Sequence, residues 1–225
     1  MNTNYAQTFT QYGICYGILF LITGISKLCK CNRLFDINGN AAASYQGLLA
    51  LNFAGICWLG LMPIAMHAPT SIQRAVSIKN TDSYSLVVLC ILTTVVWLLA
   101  SQAGRSINTK KQQANALPVG FFHFYFAVRI LFLFGYELFF RGFLLFDGIR
   151  LLGTANATLV SAVPTVLLHV FTNKKEMLGC IPFGIVLSAC CIYMQAVWPA
   201  MILHVALCLA YELPVAKQLS TIKKH

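Results

Sequence analysis

The feature that most constrains this chain is a succession of apolar runs, each close to the length of a bilayer crossing and separated by short polar links. A crossing helix needs about 20 mostly apolar residues, because each residue advances about 1.5 Å and the hydrocarbon core is about 30 Å thick. Seven runs approach or exceed that length: 13–28, 47–67, 84–103, 118–146, 154–173, 179–197 and 199–215. Inside lipid every backbone N–H and C=O must find its partner within the protein, which favours helices. Pro118, Pro182 and Pro199 each stand near the start of a run, where the first helical turn has no N–H partner to lose. The reading is an all-α, polytopic transmembrane helix bundle of about seven helices, within a range of six to eight. The stretch from 118 to about 150 is too long for a perpendicular helix, so it tilts or ends along the interface.

Composition supports this. Only 10% of residues are charged and 58% are hydrophobic, and mean hydropathy is +0.72; soluble domains carry about 25% charged residues. A soluble enzyme, a disordered tail and a nucleic-acid-binding protein are excluded. The net charge of +10 comes from 16 Lys and Arg against 6 Asp and Glu. Eleven of those cations fall on one side of the expected topology: Lys27, Lys30, Arg33, Arg105, Lys110, Lys111, Lys174, Lys175, Lys217, Lys223 and Lys224. Three fall on the other, Arg74, Lys79 and Arg150, and Arg129 and Arg141 lie inside a run. Cytoplasmic loops concentrate Lys and Arg, which predicts a cytoplasmic C-terminus, an outside N-terminus and an odd number of spans. Residues 1–12 carry no Lys or Arg, so the first run reads as a retained helix rather than a cleaved signal. The expected organisation is three N-terminal helices with their loops over 1–117, a helical core carrying the polar site over 118–215, and a cytoplasmic tail over 216–225. The expected location is an integral position in the bacterial plasma membrane, or in the ER membrane of a eukaryotic host. Most of the nine cysteines lie in apolar runs and do not read as a disulfide framework. The pair Cys29 and Cys31 has no second pair or nearby His to complete a zinc site.

Ionisable residues within the runs carry the functional signal, because a charge at the bilayer centre costs about 2.5–3.5 kcal/mol on insertion scales. They are Arg129, Glu137, Arg141, His169, His204 and Glu212, with His123 close to a cytoplasmic end. Glu137 and Arg141 are four apart and share a helix face. They read either as a neutralised pair joining helices or as a carboxylate positioned by a guanidinium for proton transfer. Each His alone reads as a packing residue. Two on separate helices, with Glu137 and Arg141 on a third, suit water activation or a divalent metal such as zinc held by Glu137, His169 and His204. Cys208 and Glu212 continue the His204 face at i+4 and i+8, and Glu212 is expected to reach water at the helix end.

These residues resemble the CAAX prenyl protease 2 and bacteriocin-processing (CPBP, or Abi) membrane proteases. That family carries Glu-Glu-x-x-x-Arg, Phe-x-x-x-His and His-x-x-x-Asn motifs on three successive helices. Glu137-Leu138-Phe139-Phe140-Arg141 followed by Gly142 looks like the first, and His169 and His204 stand where the other two place their histidines. Pro182-Phe183-Gly184 and Trp198-Pro199 add to the likeness, which covers roughly 118–212. Three positions depart from it. Tyr136 takes the place of the first Glu, Thr165 that of the Phe, and Cys208 that of the Asn.

The resemblance implies a membrane-embedded endopeptidase that hydrolyses a peptide bond near the membrane surface, in a peptide or lipidated peptide. Its expected catalytic set is Glu137 as the base that deprotonates water, His169 holding the water or sharing its proton, His204 stabilising the oxyanion, and Arg141 holding Glu137. Tyr136 and Cys208 support the site. Metal-dependent and metal-free versions of this chemistry are both open at this stage. So are a non-catalytic membrane protein of the same fold, for peptide binding or immunity, and a proton-coupled transporter. A shared site requires Glu137, His169 and His204 at one depth. Simple counting at 1.5 Å per residue places them about 14, 22 and 8 Å from their outer helix ends, so a boundary or a tilt must differ from the simple up-down reading.

Overall fold

Helical hydrogen bonding runs almost without interruption through the apolar runs. The computed structural model describes residues 2–29, 31, 41–66, 77–78, 81–107, 119–172 and 174–220, and among them all regular structure is helical. Helix α1 spans Asn2–Leu28. Helix α2 starts as Ala41–Gly55, widens into a π-helical turn at Ile56–Leu61 and closes with Met62–Met66. Helix α3 is Ser83–Arg105; Asp82 caps it by accepting the amide of Ser85 at 2.8 Å. The Ser85 hydroxyl and amide hold the Asp82 carboxyl below the usual carboxylate range. Helix α4, Val119–Glu137, continues through a π-helical stretch at Leu138–Leu145 into α5, Phe146–Leu168, which ends in a 3-10 turn at His169–Phe171. Helices α6, Lys174–Met194, and α7, Trp198–Ser220, complete the bundle.

Among the described residues six helices are long and apolar enough to cross a membrane, which with the composition makes this an integral membrane protein. The fourth of them, Gly120–Phe171, has 52 residues. Straight, it would measure roughly 78 Å, more than twice the hydrocarbon core. It does not run straight. Gly153 takes φ 77° and ψ 168°, a region open essentially to glycine alone, and the chain folds back there. The two arms then pair. Ser161 Oγ donates to Phe140 O at 2.9 Å, and a Cβ added to Gly148 would lie 3.1 Å from the Ala157 Cβ. The expected runs 118–146 and 154–173 fall on these two arms, which gives seven arms among the described residues. The first arm, from Val119 to the Gly153 turn, is still about 50 Å long at 1.5 Å per residue, longer than the hydrocarbon core.

The outermost helices extend further than expected. Helix α1 begins well before residue 13 because its polar residues are satisfied inside the helix; Thr10 Oγ1, for example, donates to Ala6 O at 2.8 Å. Helix α7 continues past 215 because Val215, Ala216 and Leu219 are buried against Tyr45, Leu48, Phe122 and Tyr125. That cluster ties the end of α7 to the starts of α2 and α4.

Contacts between helix ends show strict alternation. Gly24 of α1 lies against the Phe171 ring, and Gly104 of α3 against the Tyr211 backbone. Tyr211 in turn reaches Glu176 at the start of α6. Lys27, Arg105, Lys174, Lys175 and Lys217 therefore share one end of the bundle, while Arg150 lies at the other, near the Gly153 turn. The remaining loop and tail cations, Lys30, Arg33, Arg74, Lys79, Lys110, Lys111, Lys223 and Lys224, fall outside the described residues.

Candidate active site

The site is built on the π-helical stretch of α4, whose residues Leu138–Leu145 are all buried. A π turn widens the helix and is frequent at functional sites. Helix α1 covers its outer part: Tyr12 donates to Asp147 Oδ2 at 2.7 Å and packs edge-on against Phe139. Glu137 enters this stretch fully buried and Arg141 is 2% exposed. Arg141 Nη1 lies 3.4 Å from Glu137 Oε2, an ion pair whose alignment does not meet hydrogen-bond geometry. The other carboxylate oxygen, Oε1, is in close contact with His204 Nδ1. The His204 ring sits between the edges of Tyr136 and Phe183, with centroids at 5.4 and 5.7 Å.

Beside this group opens a cavity of about 320 Å³. Tyr136, Arg141, His169 and His204 line it, and so do Cys208 and Glu212. Glu137 is not among its lining residues. It lies behind His204, whereas the sequence placed Glu137 itself at the attacking water. Glu137 faces an imidazole and a guanidinium instead.

Two ring orientations follow from donor and acceptor chemistry. His169 Nδ1 is 2.8 Å from Thr165 O. A carbonyl only accepts, so Nδ1 carries the hydrogen and Nε2 of the neutral ring keeps its lone pair. His204 Nδ1 likewise donates to the Glu137 carboxylate, leaving Nε2 as the ring nitrogen available to the cavity. A carboxylate behind an imidazole fixes its orientation and stabilises its protonated form.

The depth mismatch is resolved at the α6–α7 turn. Ala196 and Val197 are completely buried, and a Cβ on Gly142 would lie 3.4 Å from Val197 Cγ2. The turn therefore stops inside the bundle at the level of Gly142, while the α4–α5 hairpin goes on to Gly153. That shift lowers His204 to the level of Glu137. Phe183 of α6, which touches His204, is about one helical turn from Gly179, a residue that shares the cavity wall with His169.

Glu212 does not reach water as expected. It is 8% exposed, accepts from Tyr125 OH at 2.8 Å and lies 3.5 Å from Arg129 Nη2. Arg129 Nη1 also donates to Asn52 Oδ1 at 3.1 Å. This second polar group joins α2, α4 and α7 on the cationic side of the cavity. The sequence analysis missed Tyr125, Glu176, Cys180 and Tyr211 as lining residues. Glu176, Cys180, Phe183 and Leu187 recur every three or four residues on α6 and all border the cavity. That spacing was available to find them.

A divalent metal would need the Glu137, His169 and His204 donors to converge on one point. Among the described residues no three His, Cys, Asp or Glu side chains are grouped to hold an ion. The Glu137 oxygens face His204 and Arg141. The residues present do not fit that donor set.

Residues 118–209 match the sequence profile described as type II CAAX prenyl endopeptidase Rce1-like. No curated protein and no solved structure matches the chain.

Proposed function

We propose that the chain is a membrane-embedded endopeptidase acting on a peptide or lipidated peptide, a reading supported by the match of residues 118–209 to the type II CAAX prenyl endopeptidase Rce1-like profile. The observation that carries this reading is the pairing of Glu137 with His204, whose free edge borders the same cavity as His169. Hydrolysis needs a lone pair to hold water and a donor for the developing oxyanion. His169 Nε2 accepts a hydrogen bond from the attacking water. His204, protonated and held by the Glu137 carboxylate, donates Nε2–H to the carbonyl oxygen as it gains charge. Arg141, 3.4 Å from the other Glu137 oxygen, holds that carboxylate in place. The water oxygen bonds the carbonyl carbon, the C–N bond breaks on collapse, and the amine leaves carrying a proton. No step passes through a metal.

The test is cleavage of a quenched-fluorescence library of S-prenylated C-terminal peptides by purified protein in bilayer discs. The wild type should cleave, and His204→Ala should reduce turnover about 10²–10³-fold, the scale of a lost oxyanion donor. Absence of cleavage by the wild type overturns the reading.

A second reading has its own observation. Tyr136 presents a phenol to the cavity where the family motif has a carboxylate, which favours a peptide-binding protein without catalysis. Cleavage gained by Tyr136→Glu from an inactive wild type would support that reading.

A further inference from the structure

An arginine buried only to hold a fold spends its N–H donors on the protein around it, because each buried donor left unmade costs about 1–3 kcal/mol, and more on a charged group. Arg141 does not. It is 2% exposed, yet its Nε and Nη1 are buried and donate to nothing among the described residues. The Glu137 carboxylate lies 3.4 Å from Nη1 without hydrogen-bond alignment. The remaining nitrogen, Nη2, stands where α6 leaves room for it. A Cβ on Gly184 would lie 3.3 Å from Nη2, 3.8 Å from Ala162 Cβ and 3.8 Å from Thr165 Oγ1. Arg141, Thr165 and Gly184 all border the cavity, so Nη2 meets the cavity wall at this point.

Direct contacts place this guanidinium between the two imidazoles. Toward His204 the link is double. Glu137 holds His204 Nδ1 with one oxygen and faces Arg141 Nη1 with the other. Phe183, the chain neighbour of Gly184, packs edge-on against the His204 ring with centroids 5.7 Å apart. Toward His169 the link is Thr165, which meets Nη2 across Gly184 and whose carbonyl accepts from His169 Nδ1 at 2.8 Å. His169, Arg141 and His204 all line the same cavity. By this chain of contacts the cation lies between the imidazole that holds the water and the one that donates to the carbonyl oxygen.

We infer that Arg141 is a further catalytic residue, which donates Nη2–H to the oxygen of the scissile carbonyl beside His204 Nε2–H. The inference rests on the endopeptidase reading and deepens it. As the water oxygen bonds the carbon, the C=O electron pair moves to the carbonyl oxygen. The Arg141 and protonated His204 cations, set against the single Glu137 carboxylate, leave one net positive charge to face that oxyanion. The same donors gain less on a neutral carbonyl, so they favour the transition state over the bound peptide. The guanidinium stays charged throughout and gives up no proton. When the electron pair returns, the C–N bond breaks. The OH of the water ends on the carbonyl carbon and its other hydrogen on the departing amine.

The experiment uses full-length protein in bilayer discs and one S-prenylated peptide made in two forms, with oxygen or with sulfur, the weaker acceptor, in the scissile carbonyl. Arg141→Lys keeps a cation beside Glu137 and removes the planar fork. It should lower kcat on the oxygen peptide about 10²–10³-fold, the scale of a lost oxyanion donor, with KM close to wild type. The preference for oxygen over sulfur should shrink about 10-fold or more, because one of the two donors that sense this atom is gone. Gly184→Ala should move both readouts the same way by less, within about 10²-fold, because its Cβ crowds Nη2 without altering a charge. A wild-type rate in Arg141→Lys overturns the inference and leaves the endopeptidase reading standing. So does a slow Arg141→Lys that keeps the wild-type preference for oxygen, because Arg141 then acts only by positioning Glu137. Where Arg141→Lys does not fold, Gly184→Ala decides, and an unchanged preference there overturns the inference. If the wild type cleaves neither peptide, the endopeptidase reading fails and this inference falls with it.

Discussion

In the proposed reaction Glu137 acts as a positioning group that does not touch substrate. It is 0% exposed, and its two oxygens face His204 and Arg141. Glu137→Gln keeps an oxygen that accepts from His204 Nδ1–H but removes the charge that stabilises the imidazolium. Turnover should fall about 10²–10⁴-fold, as expected when an imidazole loses its supporting carboxylate. KM should hold, because Glu137 does not border the cavity; a kcat against KM split in the peptide assay checks this. Arg141→Met differs in kind. It leaves the buried carboxylate without its guanidinium, and breaking a buried pair costs about 3–5 kcal/mol. The expected outcome is a lowered melting temperature and reduced yield of folded protein, read by thermal unfolding in detergent. A melting temperature equal to wild type would show that the ion pair contributes nothing to the fold.

At the scale of elements, the α4–α5 hairpin is the part on which the site depends. Its turn rests on Gly153 at φ 77°. A Cβ there would meet nothing within 4 Å, so Gly153→Ala tests backbone conformation without a clash. Holding a non-glycine residue in such a region costs about 1–3 kcal/mol. The variant should be less stable by about 1–3 kcal/mol, read as a lowered unfolding temperature, and should keep any cleavage activity where the hairpin still forms, since Gly153 lies far along the arm from His169. An unchanged melting temperature would indicate that the turn relaxes to another conformation. The α6–α7 turn is the second such element. Its burial beside Gly142 sets the depth of His204, and its Gln195 takes φ 51°, which lets the chain reverse inside the bundle.

For the whole molecule, the charge asymmetry between the two ends decides orientation. Among the described residues Lys27, Arg105, Lys174, Lys175 and Lys217 lie together at one end, and cations concentrate on the cytoplasmic side. Glu176 and Tyr211 bring the cavity to that same end. Cys29, exposed next to Lys27, provides a native probe. In sealed right-side-out vesicles, a variant whose other exposed cysteines, Cys57 and Cys90, are replaced by Ser should resist membrane-impermeant maleimide until the vesicles are opened. Labelling of Cys29 in intact vesicles would reverse the orientation.

Periodicity and polarity alone determined that this chain is a helical membrane bundle, because apolar runs of crossing length leave the backbone no other way to pair its polar groups. They also singled out Glu137, Arg141, His169 and His204, since a charge or imidazole inside such a run is costly to place. Which of these groups borders the cavity was decided by packing. The sequence shows Glu137 and His204 separated by 67 positions, and only the α6–α7 turn with its buried Ala196 and Val197 makes them partners. Glu176 gave little signal because its neighbours, Lys174 and Lys175, are the cations of a polar link. It reaches the cavity because α6 starts directly after the His169 turn and turns that face toward α7. Side-chain chemistry sets the cost of each group in lipid, and that cost is local. Exposure to a cavity depends on how distant helices stack, and no single helix carries that information.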